Sequence, residues 1–399
     1  MLPDEGSVEH TAIGLSSDRS YVPELESLRG IAIALVYAFH LDAFVAPEQT
    51  DPQLREVPQW LAFIRAGHTG VTLFFVLSGF LLSLPFLAEA VGGRPVSVAR
   101  YAGRRALRIL PLYYVAVVVG TVMTATTAGD LWHAVPYLAF LQSVAGWTED
   151  LGAYSAVWWS LATEVQFYLL LPLLPLFVRT RGGRIAALGV LSAYAAAYVG
   201  YLTYAWTMHS LAGELTLELT VFGRGSAFLA GIAVAAVHLF YGPRLVSMLG
   251  NSAWVRRWGA DLGVVVLVVL LGRLLQWKVS TFHWDAEVPP WQCWHVAEAI
   301  LWAAILAAVL MTPTRARTML RNPALQWLGI CSYSIYMWHV PLITTFFDVM
   351  TRLGLRWNTG WNAVTVVVGF AATGLCLSIS HFTYRFIERP FLLWKSRIA

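Results

Sequence analysis

Long apolar runs alternate with short polar segments along the whole chain, and ten of the runs read as bilayer-crossing helices. They place spans at 28–44, 71–90, 107–126, 158–178, 185–206, 220–241, 262–277, 294–311, 325–350 and 361–386. A further run at 131–144 is too short to cross and reads as interfacial or re-entrant. No stretch of alternating polarity repeats, so the spanning elements are helices, which close their own backbone hydrogen bonds. The predicted fold class is all-α, a polytopic membrane helix bundle of about ten transmembrane helices. Its predicted parts are a polar N-terminal tail over 1–23, a membrane domain over 24–391 and a short tail over 392–399. No appended soluble domain, low-complexity tract or internal repeat is expected.

Composition agrees with this pattern. The chain has 399 residues, 58% hydrophobic and 13% charged, with mean hydropathy +0.61. A soluble domain averages about 25% charged, so lipid replaces water over much of this surface. The first 23 residues hold no apolar core, and the first span is expected to serve as an uncleaved internal signal. Cys293, Cys331 and Cys376 are widely spaced and suggest neither a disulfide framework nor a metal site. The 18 Trp and 16 Tyr suit interfacial belts. Of the 27 Lys and Arg residues, twenty fall on one side of the arrangement and five on the other, with Arg224 and Arg273 inside spans. The positive-inside rule therefore puts both termini in the cytoplasm. The partner implied is the bilayer, with no nucleic acid.

Candidate chemistry begins in the first span. Arg29 and His40 are eleven positions apart, close to three helical turns, so both lie on one helix face about 16 Å apart along the axis. A bilayer core is about 30 Å thick, which sets His40 near the midplane when Arg29 is at the cytoplasmic rim. The same arithmetic places Glu164 about 9 Å and Ser78 about 10 Å below the outer face, and His339 about 16 Å above the cytoplasmic one. Intramembrane ionisable residues face the bundle interior and pair with one another. The expectation is one shared cavity for His40, His339, Glu164 and Ser78. Each also has a plainer reading. His40 can be a satisfied core histidine, His339 a hydrogen-bonding group in a helix kinked at Pro341, and Glu164 a partner for Arg224. Ser78-Gly79 can be a small-residue helix contact. Arg104, Arg105 and Arg108 satisfy the positive-inside rule unaided, but Arg105 and Arg108 sit three apart at the mouth of the third span and can meet one polyanion.

A buried imidazole beside a carboxylate suits general-base work, since histidine titrates near working pH and an acid partner fixes its tautomer. Deprotonating a hydroxyl for attack on an activated acyl carbon is one such task, with the arginines holding the phosphates of an acyl-coenzyme A (acyl-CoA) donor. The chain has no G-x-S-x-G, H-E-x-x-H, Walker A or G-x-G-x-x-G motif, which leaves a serine hydrolase, zinc protease or nucleotide-driven pump unsupported. A proton-coupled transporter or exporter of an acylated sugar or lipid-linked product is the alternative, its His and Glu then serving as relay groups. No inverted repeat or pair of broken helices accompanies it.

At this point a set of motifs carries a resemblance. E-L-E-S-L-R-G-I-A-I-A-L-V-Y-A-F-H at 24–40, G-V-T-L-F-F-V-L-S-G-F-L-L at 70–82 and R-R-A-L-R-I-L-P-L-Y at 104–113 come first. W-S-L-A-T-E-V-Q-F-Y at 159–168, S-Y-S-I-Y-M-W-H-V-P at 332–341 and E-R-P-F at 388–391 follow. In this order they resemble the acyltransferase-3 family of membrane O-acyltransferases. Two departures stand out: Glu26-Ser27 replaces the usual Asp-Gly, and Ala162-Thr163 stands where Ser-Val is common. Neither removes an ionisable residue. The resemblance implies a ten-helix domain in a bacterial-type plasma (inner) membrane. It implies transfer of an acyl group, acetyl or another short acyl, from cytoplasmic acyl-CoA, acetyl-CoA above all, to a hydroxyl of a glycan, glycolipid or macrolide-like acceptor. By that likeness His40 is the catalytic residue, Arg29 its companion, and Arg105 with Arg108 the R-x-x-R pair. Glu164 would orient His40, and Ser78 and His339 would meet substrate. No metal or permanently bound cofactor is implied. Without a fused esterase-like domain, transfer is expected to finish inside the membrane domain or on a partner.

Overall fold

A computed structural model describes residues 22–45, 59–142, 151–208, 217, 219–281, 291–354 and 362–397. Among the described residues every regular element is helical and no strand occurs. In chain order the α-helices are α1 (Pro23–Val45), α2 (Gln59–Arg65), α3 (Thr69–Ala90), α4 (Val98–Thr124), α5 (Ala134–Leu138), α6 (Trp159–Leu170), α7 (Leu174–Val178) and α8 (Arg181–Met208). They continue with α9 (Val221–Asn251), α10 (Ala260–Thr281), α11 (Trp291–Met311), α12 (Ala316–Met319), α13 (Pro323–Ile330), α14 (Ser332–Arg352), α15 (Ala363–Thr383) and α16 (Arg389–Arg397).

Nine described helical segments are long and apolar enough to cross a membrane. They answer to nine of the ten expected spans, and the chain is a polytopic helical bundle. The tenth, expected as one helix over 325–350, is two. α13 ends at Ile330, and α14 starts at Ser332 after Cys331, whose ψ of 0° leaves the helical range. The serines, tyrosines and histidine of α14 make it less apolar than its neighbours. The helix expected over 158–178 is likewise divided, because Pro172 and Pro175 each open a new short turn after Leu170. The short run at 131–144 does not cross. Its described part is a 3-10 turn (Ala128–His133) and α5, with Leu131 and Trp132 exposed and Pro136 and Tyr137 buried. Residues 1–21, most of the expected N-terminal tail, lie outside the described residues, and the C-terminal helix continues to Arg397.

Side-chain groups fix the helix starts that frame the site. Ser97 caps α4 by accepting from the Arg100 amide, and Asn322 caps α13 by accepting from Ala324 and Leu325 amides, with Pro323 in the first turn. Thr220 caps α9 through the Phe222 amide.

α1 lies at the centre, packed against α2, α3, α13, α14 and α15. Glycines permit its closest approaches. A Cβ on Gly329 would lie 1.8 Å from the Glu26 carbonyl oxygen, and one on Gly30 would lie 2.1 Å from the Leu325 carbonyl oxygen. α1 and α13 thus touch backbone to backbone. α3 and α9 use the same device through Gly79 and Gly231. The interior is filled by Ile33, Leu73, Leu77, Phe80, Leu112, Tyr113, Trp158 and Phe228. α8 and α10 instead present Ile185, Leu188, Val265, Val266 and Val269 outward, which is the surface expected of helices set in lipid.

Candidate active site

α1 and α14 run side by side and meet at two places. Near the start of both, Arg29 Nη2 donates to Ser332 Oγ at 3.1 Å. Further along, His40 meets His339, Nδ1 to Nε2, at 3.2 Å with the rings edge to face. The α14 residues that serve this seam are Ser332, Tyr336 and His339, spaced i, i+4, i+7 and hence on one helix face.

The contacts of the histidine pair assign its protons. His339 is fully buried, and its Nδ1 lies 2.9 Å from the Tyr336 carbonyl and 3.2 Å from that of Ile335. Carbonyls only accept, so Nδ1 carries the proton and Nε2 of neutral His339 is an acceptor. His40 Nδ1 faces that nitrogen and the Val36 carbonyl at 2.9 Å, two acceptors. It therefore carries its own proton, and the lone pair of neutral His40 is on Nε2. Nε2 engages no hydrogen-bond partner among the described residues, and the side chain is half-buried.

The other five predicted residues share a cavity of about 110 Å³. Arg29, Ser78, Arg105, Arg108 and Glu164 all line it, with Tyr168 and Tyr336. Ser78 donates to Glu164 Oε1 at 2.6 Å. Arg105 has its guanidinium 5.9 Å from the Tyr168 ring centre, within cation–π range. Arg108 Nη1 lies 3.6 Å from Glu388 Oε1, and Ser334 donates to Glu388 Oε2 at 3.0 Å. Glu388 is buried and is delivered by a π-helical turn, Tyr384–Glu388, between α15 and α16.

This arrangement corrects the expected single cavity. Ser78 and Glu164 join the arginines, while His40 and His339 do not line the cavity and form a pair of their own. Glu164 hydrogen-bonds Ser78, not His40. Trp158 is fully buried against the Tyr113 and Tyr137 rings rather than turned outward as an interfacial tryptophan. Tyr336 connects the two sites: it lines the cavity, and its ring centre is 5.6 Å from that of His339. Its hydroxyl donates to the Val157 carbonyl and meets Ser160 Oγ at 2.7 Å.

Of the plainer readings, those for His339 and for Ser78-Gly79 match contacts in the structure, and that of Glu164 as a partner for Arg224 does not. His339 satisfies backbone carbonyls and pairs with His40. Gly79 makes the close helix contact and Ser78 the hydrogen bond. Arg224 bonds His295 at 2.5 Å and lies 5.0 Å from the Trp159 ring, rather than serving Glu164. His295 belongs to a second polar cluster with Glu298, Thr72, His68 and Lys278, toward the opposite end of α3. Sequence reasoning missed that cluster, although His295 and Glu298 are three apart at the start of a span. It also missed Glu388, whose signal was its place in E-R-P-F.

Comparison with known proteins decides the family. An acyltransferase-domain model matches residues 22–381. The chain belongs to the acyltransferase-3 family. It is 26% identical over 395 residues to the peptidoglycan O-acetyltransferase OatA of Listeria monocytogenes, covering 93% of this chain and 56% of that protein. A Staphylococcus aureus protein (strain COL) designated an O-acetyltransferase is 24% identical over 399 residues, covering 93% of this chain and 57% of its own length. BcsY of Komagataeibacter xylinus, designated a membrane-bound transacylase, is 25% identical over 399 residues, covering 94% of this chain and 84% of its own length. The chain thus spans little more than half the length of the first two relatives. No solved structure matches. For this acyltransferase-3 chain, the family match takes in Arg29, His40, Ser78, Arg105, Arg108, Glu164 and His339 and stops short of Glu388.

Proposed function

We propose that this chain is a multi-pass membrane O-acyltransferase of a bacterial plasma membrane. It takes an acetyl or other short acyl group from cytoplasmic acyl-CoA and transfers it to a hydroxyl of a glycan, glycolipid or natural product. The observation that carries the reading is the proton arrangement of the His40–His339 pair, which leaves a lone pair on half-buried His40 Nε2. In the reaction His40 Nε2 takes the acceptor hydroxyl proton as the oxygen attacks the thioester carbonyl. The C–O bond forms, the C–S bond breaks, and the proton passes from imidazolium to the departing thiolate, giving an ester and free coenzyme A.

The donor's charged head is assigned to Arg29, Arg105 and Arg108 at the arginine-rich end, which the charge distribution makes the cytoplasmic one. Arg29 and His40 lie about 16 Å apart along α1, so a long donor with phosphates at one end and a thioester at the other can occupy both levels. Ser78 and Glu164 line the same cavity as these arginines. The O-acetyltransferase names of the Listeria and Staphylococcus relatives support the reaction class.

Purified protein in detergent is given acetyl-CoA and candidate acceptors, and both thiol release and ester mass are followed. Transfer without a transmembrane gradient distinguishes this chemistry from proton-coupled export. Unchanged turnover in His40→Ala would refute the assigned base.

A further inference from the structure

α10 carries a basic residue that acyl transfer leaves unused. Arg273 lies inside the membrane-crossing segment Val255–Ser280, yet its side chain is exposed, beside outward-facing Leu270 and Val269. Its hydrogen bond is to Gln276 Oε1 on the same helix at 3.0 Å. Among the described residues no carboxylate pairs with it. Ionisable side chains within spans ordinarily face the interior and find a partner there. Arg273 faces the lipid.

Its surroundings have the form of a lipid site. A groove of about 500 Å³ runs between α10 and α11, lined by Leu270, Leu274, Ala297, Ile300 and Leu301, with Arg273 its one charged member. Four residues beyond Arg273, exposed Trp277 packs on Trp294 with ring centres 3.8 Å apart. An outward tryptophan at a span end marks headgroup level, and four residues are about 6 Å of helix. Ile300 and Leu301 lie deeper than Trp294 along α11, and Leu270 deeper than Trp277 along α10. The guanidinium is thus near phosphate depth, with an apolar groove leading from it toward the bilayer centre.

We propose that this groove binds an anionic phospholipid, its phosphate on Arg273 and an acyl chain along Leu270, Leu274, Ile300 and Leu301. Charge complementarity identifies the occupant: a guanidinium forks two N–H donors onto phosphate oxygens, and the groove offers the remainder only apolar contact. The leaflet is the one opposite the loop carrying Arg315, Arg317 and Arg321, since α11 runs from the groove end toward that loop.

The test is native mass spectrometry of the full chain in non-ionic detergent, titrated with phosphatidylglycerol or phosphatidylcholine. Wild type is expected to retain one phosphatidylglycerol with at least about tenfold preference over phosphatidylcholine, as a charge-assisted hydrogen bond predicts. Arg273→Gln should abolish the preference, and Ile300→Trp, which fills the groove and keeps the charge, should lower retention of phosphatidylglycerol. Equal retention of the two lipids by wild type overturns the proposal, as does undiminished preference in Arg273→Gln. A co-purified polyisoprenoid phosphate that neither lipid displaces also overturns it. Thermal melting without added lipid checks that Arg273→Gln is folded; if it is not, Ile300→Trp carries the decision.

Discussion

Replacing His339 by alanine separates a base from the residue that orients it. In the intact protein the His40 Nδ1 proton has two acceptors, the Val36 carbonyl at 2.9 Å and His339 Nε2 at 3.2 Å. Alanine removes the longer contact and leaves the shorter. One net hydrogen bond is worth about 0.5–1.5 kcal/mol, which translates into a two- to tenfold fall in kcat at about 1.4 kcal/mol per decade. Removing the base itself costs far more, about 10² to 10⁴-fold. Because His339 acts only through His40, His40→Ala with His339→Ala should be no worse than His40→Ala alone. Turnover is read from thiol release with ester mass as confirmation, and melting temperature checks that truncating a buried ring has not unfolded the variant. His339→Gln, which returns an acceptor oxygen, should recover part of the loss. Costs that add in the double variant, or a His339→Ala loss as large as that of His40→Ala, would refute the assigned roles.

Other substitutions probe the cavity and the frame. Arg105→Gln should raise the KM for acyl-CoA about tenfold to a hundredfold with little change in melting, since it removes one charge-assisted contact worth about 1.5–3 kcal/mol; an unaltered donor KM would count against the arginine role. Arg108→Gln should lower melting as well, because it leaves buried Glu388 without its cation; differential scanning fluorimetry in detergent reads the contrast with Arg105→Gln. Ser78→Ala should destabilise by about 1.5–3 kcal/mol, losing a 2.6 Å bond to a carboxylate, and an unchanged melting temperature would show that this bond does not hold α3 to α6. Gly329→Ala should destabilise by about 1–3 kcal/mol or more, the cost of overpacking, because the added Cβ would sit 1.8 Å from a backbone oxygen that cannot move aside. A wild-type melting temperature in that variant would show that α1 and α13 are not held as described.

Hydropathy alone made the helical bundle legible, because a bilayer demands long apolar helices and the chain supplies them at regular intervals. It misjudged the interrupted elements. Pro172, Pro175 and Cys331 break helices inside apolar runs whose average hydropathy does not register the break. The site residues were legible as a set of ionisable groups in apolar surroundings, but their grouping was not. Helical arithmetic gives axial depth from an assumed starting plane and does not say which residues at that depth share a cavity. Which face of one helix meets which face of another depends on close contacts such as Gly30 against Leu325, and no single-helix periodicity encodes those. Glu388 escaped notice because it lies near the last arginines of the chain, where a carboxylate reads as a surface charge until a π-turn is seen to bury it.

The separation of the two sites along α1 has a chemical rationale. Arginines in contact with the base would oppose its taking a proton, since a neighbouring positive charge disfavours imidazolium. Placing the His40–His339 pair about three helical turns from Arg29 weakens that opposition while keeping both on one rigid element. α14 runs beside α1 and ties down both levels, Ser332 at Arg29 and His339 at His40, so the span from anion-binding end to base is set by two packed helices rather than by a loop. The spacing then acts as a ruler for the donor. A donor analogue shortened between its phosphates and its thioester should still compete for the arginine cavity yet fail to acylate, giving ordinary inhibition constants with vanishing turnover. If the shortened analogue is turned over as fast as acetyl-CoA, the donor does not lie along α1, and the arginine cavity has some other occupant.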